Sequence, residues 1–109
     1  MRHLQHNNYE IINSSWGTRS SWGHESKLYR DDLCIASHKV RYYNRTWESY
    51  QYRSCMQALI HQVIDGDAKQ AVQDYKRENN IKRLKADMRA EIERKVWAEH
   101  ELKPLYDKI

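Results

Sequence analysis

The stretch Val40–Met56, V-R-Y-Y-N-R-T-W-E-S-Y-Q-Y-R-S-C-M, reads as a strand handing over to a long helix. Five aromatics (Tyr42, Tyr43, Trp47, Tyr50, Tyr52) and three arginines (Arg41, Arg45, Arg53) fall within it. Asn44 suits a turn, Thr46 suits an N-cap, and Glu48 places negative charge where a helix dipole favours it. The spacing predicts a helix from Trp47 to Ile64, with Gly66 just past its end. Tyr52, Met56, Leu59, Ile60 and Val63 recur at helical spacing as the buried stripe, with Cys55 beside it. The opposite face carries Trp47, Tyr50, Ser54, Gln57 and His61. Two large rings on a solvent-facing side imply either a cover from elsewhere in the chain or a partner.

Upstream, Lys27–Tyr43 reads as a hairpin with Asp31-Asp32 as its turn. In the second strand Cys34, Ala36, His38, Val40 and Tyr42 share one face, expected to lie on the helices. Leu33, Ile35, Ser37, Lys39 and Arg41 share the other. His38 then falls at the core margin, where a hydrogen-bonded structural role is the ordinary one. Residues 1–25, rich in Asn, Ser, His and Gly, read as a flexible or partly ordered aromatic arm. Its one apolar patch, Tyr9–Ile12, suits an added strand. Within the arm Ser14-Ser15-Trp16-Gly17 is echoed by Ser20-Ser21-Trp22-Gly23. In one extended chain Trp16 and Trp22 would point to the same side, with glycine letting the backbone turn after each ring. Such an arm either inserts into a partner or folds back as a lid over a thin core.

Downstream, Asp67 suits the cap of a short helix from Ala68 to Glu78, and Asn79-Asn80 interrupts it. A last, long helix is expected from Ile81 to Lys103, stopping before Pro104, with the stripe Ile81, Leu84, Met88, Ile92 and Val96. That stripe suits packing on the sheet or on a second copy of the chain, a homodimer. Between Lys76 and Lys95 eight basic residues stand against four acidic ones. Lys82, Lys85 and Arg89 lie together on one flank of this expected helix and suit nucleic-acid phosphates. A solvated face laced with i,i+4 pairs is the plainer alternative.

The whole chain sets the bounds. At 109 residues, with 39% hydrophobic residues and a mean hydropathy of -1.06, it is one domain with a small core. There is no Phe, but Tyr is 8 and Trp is 4, so every ring but histidine's carries a polar tip. Such rings suit interfaces as well as cores. A net charge of +4 favours an acidic partner and excludes a mimic of DNA, which would be acidic. Cys34 and Cys55 read as buried free thiols of an intracellular protein. No apolar run is long enough to span a bilayer, and no leader pattern opens the chain, which implies the cytoplasm and no membrane partner. His3, His6, His24, His38, His61 and His100 are scattered, and no nucleophile elbow or phosphate loop frames the 3 glycines. The expectation is therefore a protein that is not an enzyme and carries no cofactor or metal.

The segment from Lys39 to Met56, with its Y-Y-N-R-T-W-E-S-Y-Q-Y core, resembles a pattern in small uncharacterised proteins of bacteriophages and prophages. Arg30-Asp31-Asp32 and Ile35-Ala36-Ser37 belong to the same resemblance, which covers a quarter to a third of the chain. It implies context: a small accessory protein in a bacterial host cell. Phage proteins of this kind commonly bind a host machine, and inhibitors of CRISPR nucleases, the anti-CRISPR proteins, are one such group.

The expected architecture is α+β, residues 26–109 forming a small antiparallel sheet, a hairpin, packed on about three helices with a long C-terminal one. The expected function is non-enzymatic inhibition of a host protein or ribonucleoprotein complex. The expected target is the single-protein RNA-guided nuclease of type II CRISPR systems. Trp16, Trp22, Trp47 and Tyr50 would anchor the partner, with Arg41, Arg45 and Arg53 pairing to carboxylates or phosphates. The alternative is a small basic DNA- or RNA-binding protein of phage replication or transcription control, working through Lys82, Lys85 and Arg89.

Overall fold

The computed structural model describes residues 2–42 and 51–109. It is an α+β arrangement in which one antiparallel sheet carries helices on one face. The strands β1 (Arg2–His6), β2 (Tyr9–Gly17), β3 (Trp22–Arg30) and β4 (Leu33–Tyr42) follow one another as a meander. Helix α1 (Gln51–Glu78) crosses the sheet, and α2 (Ala86–Glu99) and α3 (Lys103–Lys108) return along it.

The tight turns are chemically specified. Asp31 and Asp32 both hold positive φ, 50° and 67°, which is the geometry a two-residue hairpin with the strand twist requires. Asn7 does the same between β1 and β2, at φ 54°. Asn and Asp tolerate this conformation better than other side chains. The two turns are also tied together, for the Asp31 amide donates to the Asn8 carbonyl at 3.1 Å. Between β2 and β3, Thr18 and Ser21 close the turn, the Thr18 amide donating to the Ser21 carbonyl at 2.7 Å.

Residues 2–25, expected as an arm, instead form β1, β2 and the first part of β3. Every second residue of β2 turns inward, and Tyr9, Ile11 and Asn13 are buried there. Three inward positions against one helix suffice to hold the strand, although its sequence is mostly polar.

The inner face meets an apolar stripe on α1. Cys55, Met56, Leu59, Ile60, Ile64, Ala68 and Val72 are all buried and step by three or four residues. Met56, Leu59, Ile60 and Ile64 form one core with Ile11 and Leu28 of the sheet, and Leu102 and Leu105 close its end. Burial of each such side chain is worth about 1.5–3 kcal/mol, so this seam dominates the stability of the fold.

The stripe explains why α1 does not end near Ile64. Burial continues past Gly66 along a row, Met56, Ile60, Ile64, Ala68 and Val72, that winds slowly around the helix, and burying Ala68 and Val72 outweighs the roughly 1 kcal/mol that a mid-helix glycine costs. The helices expected on either side of Gly66 are therefore one helix of 28 residues. It ends where the sequence says, at Asn79-Asn80. Asn80 takes φ 54°, and the Ile81 and Asn80 amides donate to the Lys76 and Arg77 carbonyls at 2.8 and 3.3 Å. This is a Schellman closure with asparagine in the left-handed position.

The long C-terminal helix is also divided. Ile81 belongs to that closure, so α2 begins only at Ala86. It stops at Glu99, and Pro104 then sits in the first turn of α3 rather than after a helix end. Proline fits there because a first-turn amide has no intrahelical acceptor. The stripe on α2 is only partly covered: Ile92 and Val96 are half-buried and Met88 is 38% exposed. No described helix is long and apolar enough to cross a membrane.

Gly66 lies on the exposed side of α1 with nothing near the position of a Cβ. Gly66→Ala is expected to raise unfolding free energy by about 0.5–1 kcal/mol in urea titrations. Leu28→Ala is expected to lower it by about 2–5 kcal/mol through the cavity it leaves.

Candidate binding surface on the open face of the sheet

Strand alternation assigns the two faces. Ser26 and Leu28 of β3 are buried, so Glu25, Lys27 and Tyr29 face outward, opposite the helices. On β2 the outward set is Glu10, Ile12, Ser14 and Trp16, and on β4 it includes Ser37, Lys39 and Arg41. The helices pack on the inner face, so no described helix covers this outer face.

Trp16 and Tyr29 are large rings on it, and the sheet is shaped around Trp16. Its partner across the β2–β3 ladder is Gly23. A Cβ at Gly23 would lie 2.9 Å from Trp16 Cζ2 and would collide with the Val40 carbonyl. Glycine is thus required for the indole to lie on the neighbouring strand. Lys39 Nζ stands 4.6 Å from the ring centroid and Arg41 Cζ 5.3 Å, both in cation–π contact. Neither Lys39 nor Arg41 has a carboxylate within ion-pair distance among the described residues, whereas Lys27 pairs with Glu25 at 3.8 Å. The Trp16 indole N–H is buried with no acceptor among the described residues.

Trp22 does not join Trp16. Trp16 opposes Gly23 and Trp22 opposes Gly17, on adjacent rungs, so the two rings sit on opposite faces of the sheet. A hairpin turn lies between them, which an extended chain does not have. Trp22 is on the inner side, edge-on to His24 at 5.9 Å. Neither glycine has positive φ, so neither serves a left-handed turn, and only Gly23 is required by a ring against it.

The other expected residues are dispersed. Arg53 is exposed on α1, its Nε donating to the Tyr52 hydroxyl at 3.3 Å. Arg2 of β1 stacks over the same ring at 4.4 Å. The Arg53 hydrogen bond holds the Tyr52 phenol below its ordinary range, with help from the Arg2 charge. Arg45, Trp47 and Tyr50, with the Thr46 cap, lie outside the described residues. Lys82, Lys85 and Arg89 are exposed but share no helix flank: Lys82 is in the connection, Lys85 caps α2, and Arg89 is one turn in.

Cys34 is exposed, not buried. Leu28 pairs with Ala36 but Tyr29 pairs with Cys34, so Ile35 is an extra residue in β4. The bulge turns Cys34 to the Tyr29 side. Leu33 and Ile35, 69% and 45% exposed, form an apolar end beside it. Beyond the bulge Ala36 lies on the core and His38 at its margin, where Gln62 Nε2 approaches His38 Nδ1 at 3.1 Å.

Two polar clusters hold the inner side together. His24 Nδ1 meets Asn13 Oδ1 at 3.0 Å, Asn13 Nδ2 donates to Ser26 Oγ at 2.8 Å, and Ser26 Oγ donates to Cys55 Sγ at 3.2 Å. The Cys55 thiol in turn donates to the His38 carbonyl at 3.6 Å. Burial pushes the pKa of this thiol up, against thiolate formation. At the other end a cleft of about 430 Å³ runs between the Asn7 turn and the α2–α3 corner. There Tyr9 donates to Glu101 at 2.8 Å and His100 Nε2 meets Asp67 at 2.6 Å. His100 Nδ1 accepts the Leu102 amide at 3.0 Å. With both nitrogens engaged, His100 is a clasp between α1 and the corner rather than a base. No cluster of three metal-ligating side chains occurs among the described residues.

The chain matches no family model, no curated protein and no solved structure.

Burial lowers the His24 pKa from 6.5, so the folded chain resists a proton that the unfolded chain accepts. Stability is therefore expected to fall as pH drops below about 6.5, and less so in His24→Gln. At the alkaline end burial raises Cys55 from 9.0, and burial with the Glu101 hydrogen bond raises Tyr9 from 10.0. Both favour the protonated fold, so melting temperature should fall again above about pH 9.

Proposed function

We propose that this protein is a non-enzymatic inhibitor that binds and occludes a host defence complex through the open face of its sheet. The observation that carries this reading is Trp16 seated over Gly23 between Lys39 and Arg41, two cations without an ion-pair partner among the described residues, on a face the described helices leave uncovered. Rings of this kind, with arginine beside them, are what dominate interface energies. The partner we propose is a ribonucleoprotein, the single-protein RNA-guided nuclease of type II CRISPR systems. The resemblance of residues 39–56 to phage and prophage accessory proteins supports that context, and the positive net charge suits a complex that carries RNA.

The alternative, a nucleic-acid binder of phage replication or transcription control, rested on Lys82, Lys85 and Arg89. Their dispersal over a connection and a helix end favours it less.

Titration against such a nuclease in a DNA-cleavage assay is expected to abolish cleavage near one equivalent. Arg41→Glu, an exposed change, should weaken inhibition at least tenfold. Cleavage unaffected at a large molar excess would sink the reading.

A further inference from the structure

We infer that the open face holds a single strand of nucleic acid, one base on Trp16 and the flanking phosphates on Lys39 and Arg41. This rests on the inhibitor reading and names the part of the partner that the face touches.

Lys39 and Arg41 are alternate residues of one strand, about 6.6 Å apart along it, on the same side. That is the order of one nucleotide step in an extended backbone. Both side chains are exposed, and both rest over the ring rather than on a carboxylate. An exposed cation–π contact is weak, about 0.5–1 kcal/mol, so it yields readily to a phosphate. Swinging the cations outward bares the indole, on which any base can stack. The buried indole N–H, which lacks an acceptor among the described residues, adds a reason for the ring to shift toward a ligand.

The surroundings argue against an apolar protein anchor here. Trp16 has Ser14 on its own strand, Gly23 across from it, and the two cations beside it. The exposed apolar side chains Leu33 and Ile35 lie at the far end of β4, about 20–25 Å from Arg41 along the strand. A paired duplex hides its base faces, so the ring selects an unpaired strand.

The test is fluorescence anisotropy with short labelled oligonucleotides: single-stranded RNA, single-stranded DNA and a duplex. Single strands are expected to bind at low salt and the duplex at least tenfold more weakly. The slope of log K against log salt should be about -1.4, two phosphate contacts on a single strand. Lys39→Glu with Arg41→Glu should cut affinity more than tenfold while circular dichroism stays unchanged. Trp16→Ala should cost about 5- to 100-fold. Relative affinity for RNA and DNA identifies which strand the face prefers. No binding, equal binding of the duplex, or binding indifferent to Lys39→Glu and Arg41→Glu overturns the inference. The cleavage assay separates the two readings. Inhibition by a protein that binds no oligonucleotide overturns this inference and leaves a protein surface as the contact. Oligonucleotide binding without inhibition supports this inference and sinks the inhibitor reading.

Discussion

Everything in this fold depends on a single apolar seam, the stripe of α1 pressed on the inner face of β2 and β3. Met56, Leu59, Ile60 and Ile64 supply one side of it, and Ile11 and Leu28 the other. The seam has only these few large side chains, because the chain is short and polar. It therefore recruits Leu102 and Leu105 from the C-terminal corner to close its end. A helix broken at Gly66 would leave Ala68 and Val72 without their register. The continuity of α1 is thus a demand of packing, stronger than the local preference of glycine.

Where the seam runs out, hydrogen bonds replace apolar contact. At one end Asn13, Ser26 and Cys55 occupy inward positions where larger apolar residues might be expected, and each has a partner. A buried polar group left unpaired costs about 1–3 kcal/mol, so such a row is stable only when complete. At the other end His100 and Tyr9 do the same work between elements. The His100–Asp67 and Tyr9–Glu101 contacts tie the corner after α2 to α1 and to β2.

Much of the arrangement was legible in the sequence. Asp31-Asp32 gave the β3–β4 turn, and period-two alternation gave the face of Ala36 and His38. Asn79-Asn80 gave the end of α1. The rest was hidden for identifiable reasons. A bulge at Ile35 reverses Cys34, and bulges leave no mark in an alternation of mostly small residues. Residues 2–25 looked too polar for a sheet because each inward apolar residue is followed by polar ones that face solvent or pair internally. The Trp16 and Trp22 echo was visible, but the turn between them was not, and that turn decides which ring faces outward. Of the candidate site, Trp16 and Arg41 were named from the sequence. Lys39 was not named, and Gly23 was given another role. The signal available for Lys39 was its alternation with Arg41 on one face of a strand already identified.

The one-sided build leaves a surplus of surface. A compact monomer of 13.3 kDa exposes about 6,450 Å², whereas this chain exposes 7905 Å². Its radius of gyration is 16.8 Å, against about 13 Å for a compact domain of this length. A typical specific interface takes about 800 Å² from each partner. The surplus, about 1,450 Å², is more than one such partner removes. The open face carries Glu10, Glu25 and Ile12 among its aromatic, cationic and small polar side chains rather than a continuous apolar layer. Around Trp16 the cations Lys39 and Arg41 have no carboxylate within ion-pair distance among the described residues, so a polyanionic strand meets attraction there where the same cations of a second copy would meet like charge. The same economy that restricts the core to one face of the sheet therefore leaves the other face suited to a negatively charged, ring-bearing partner.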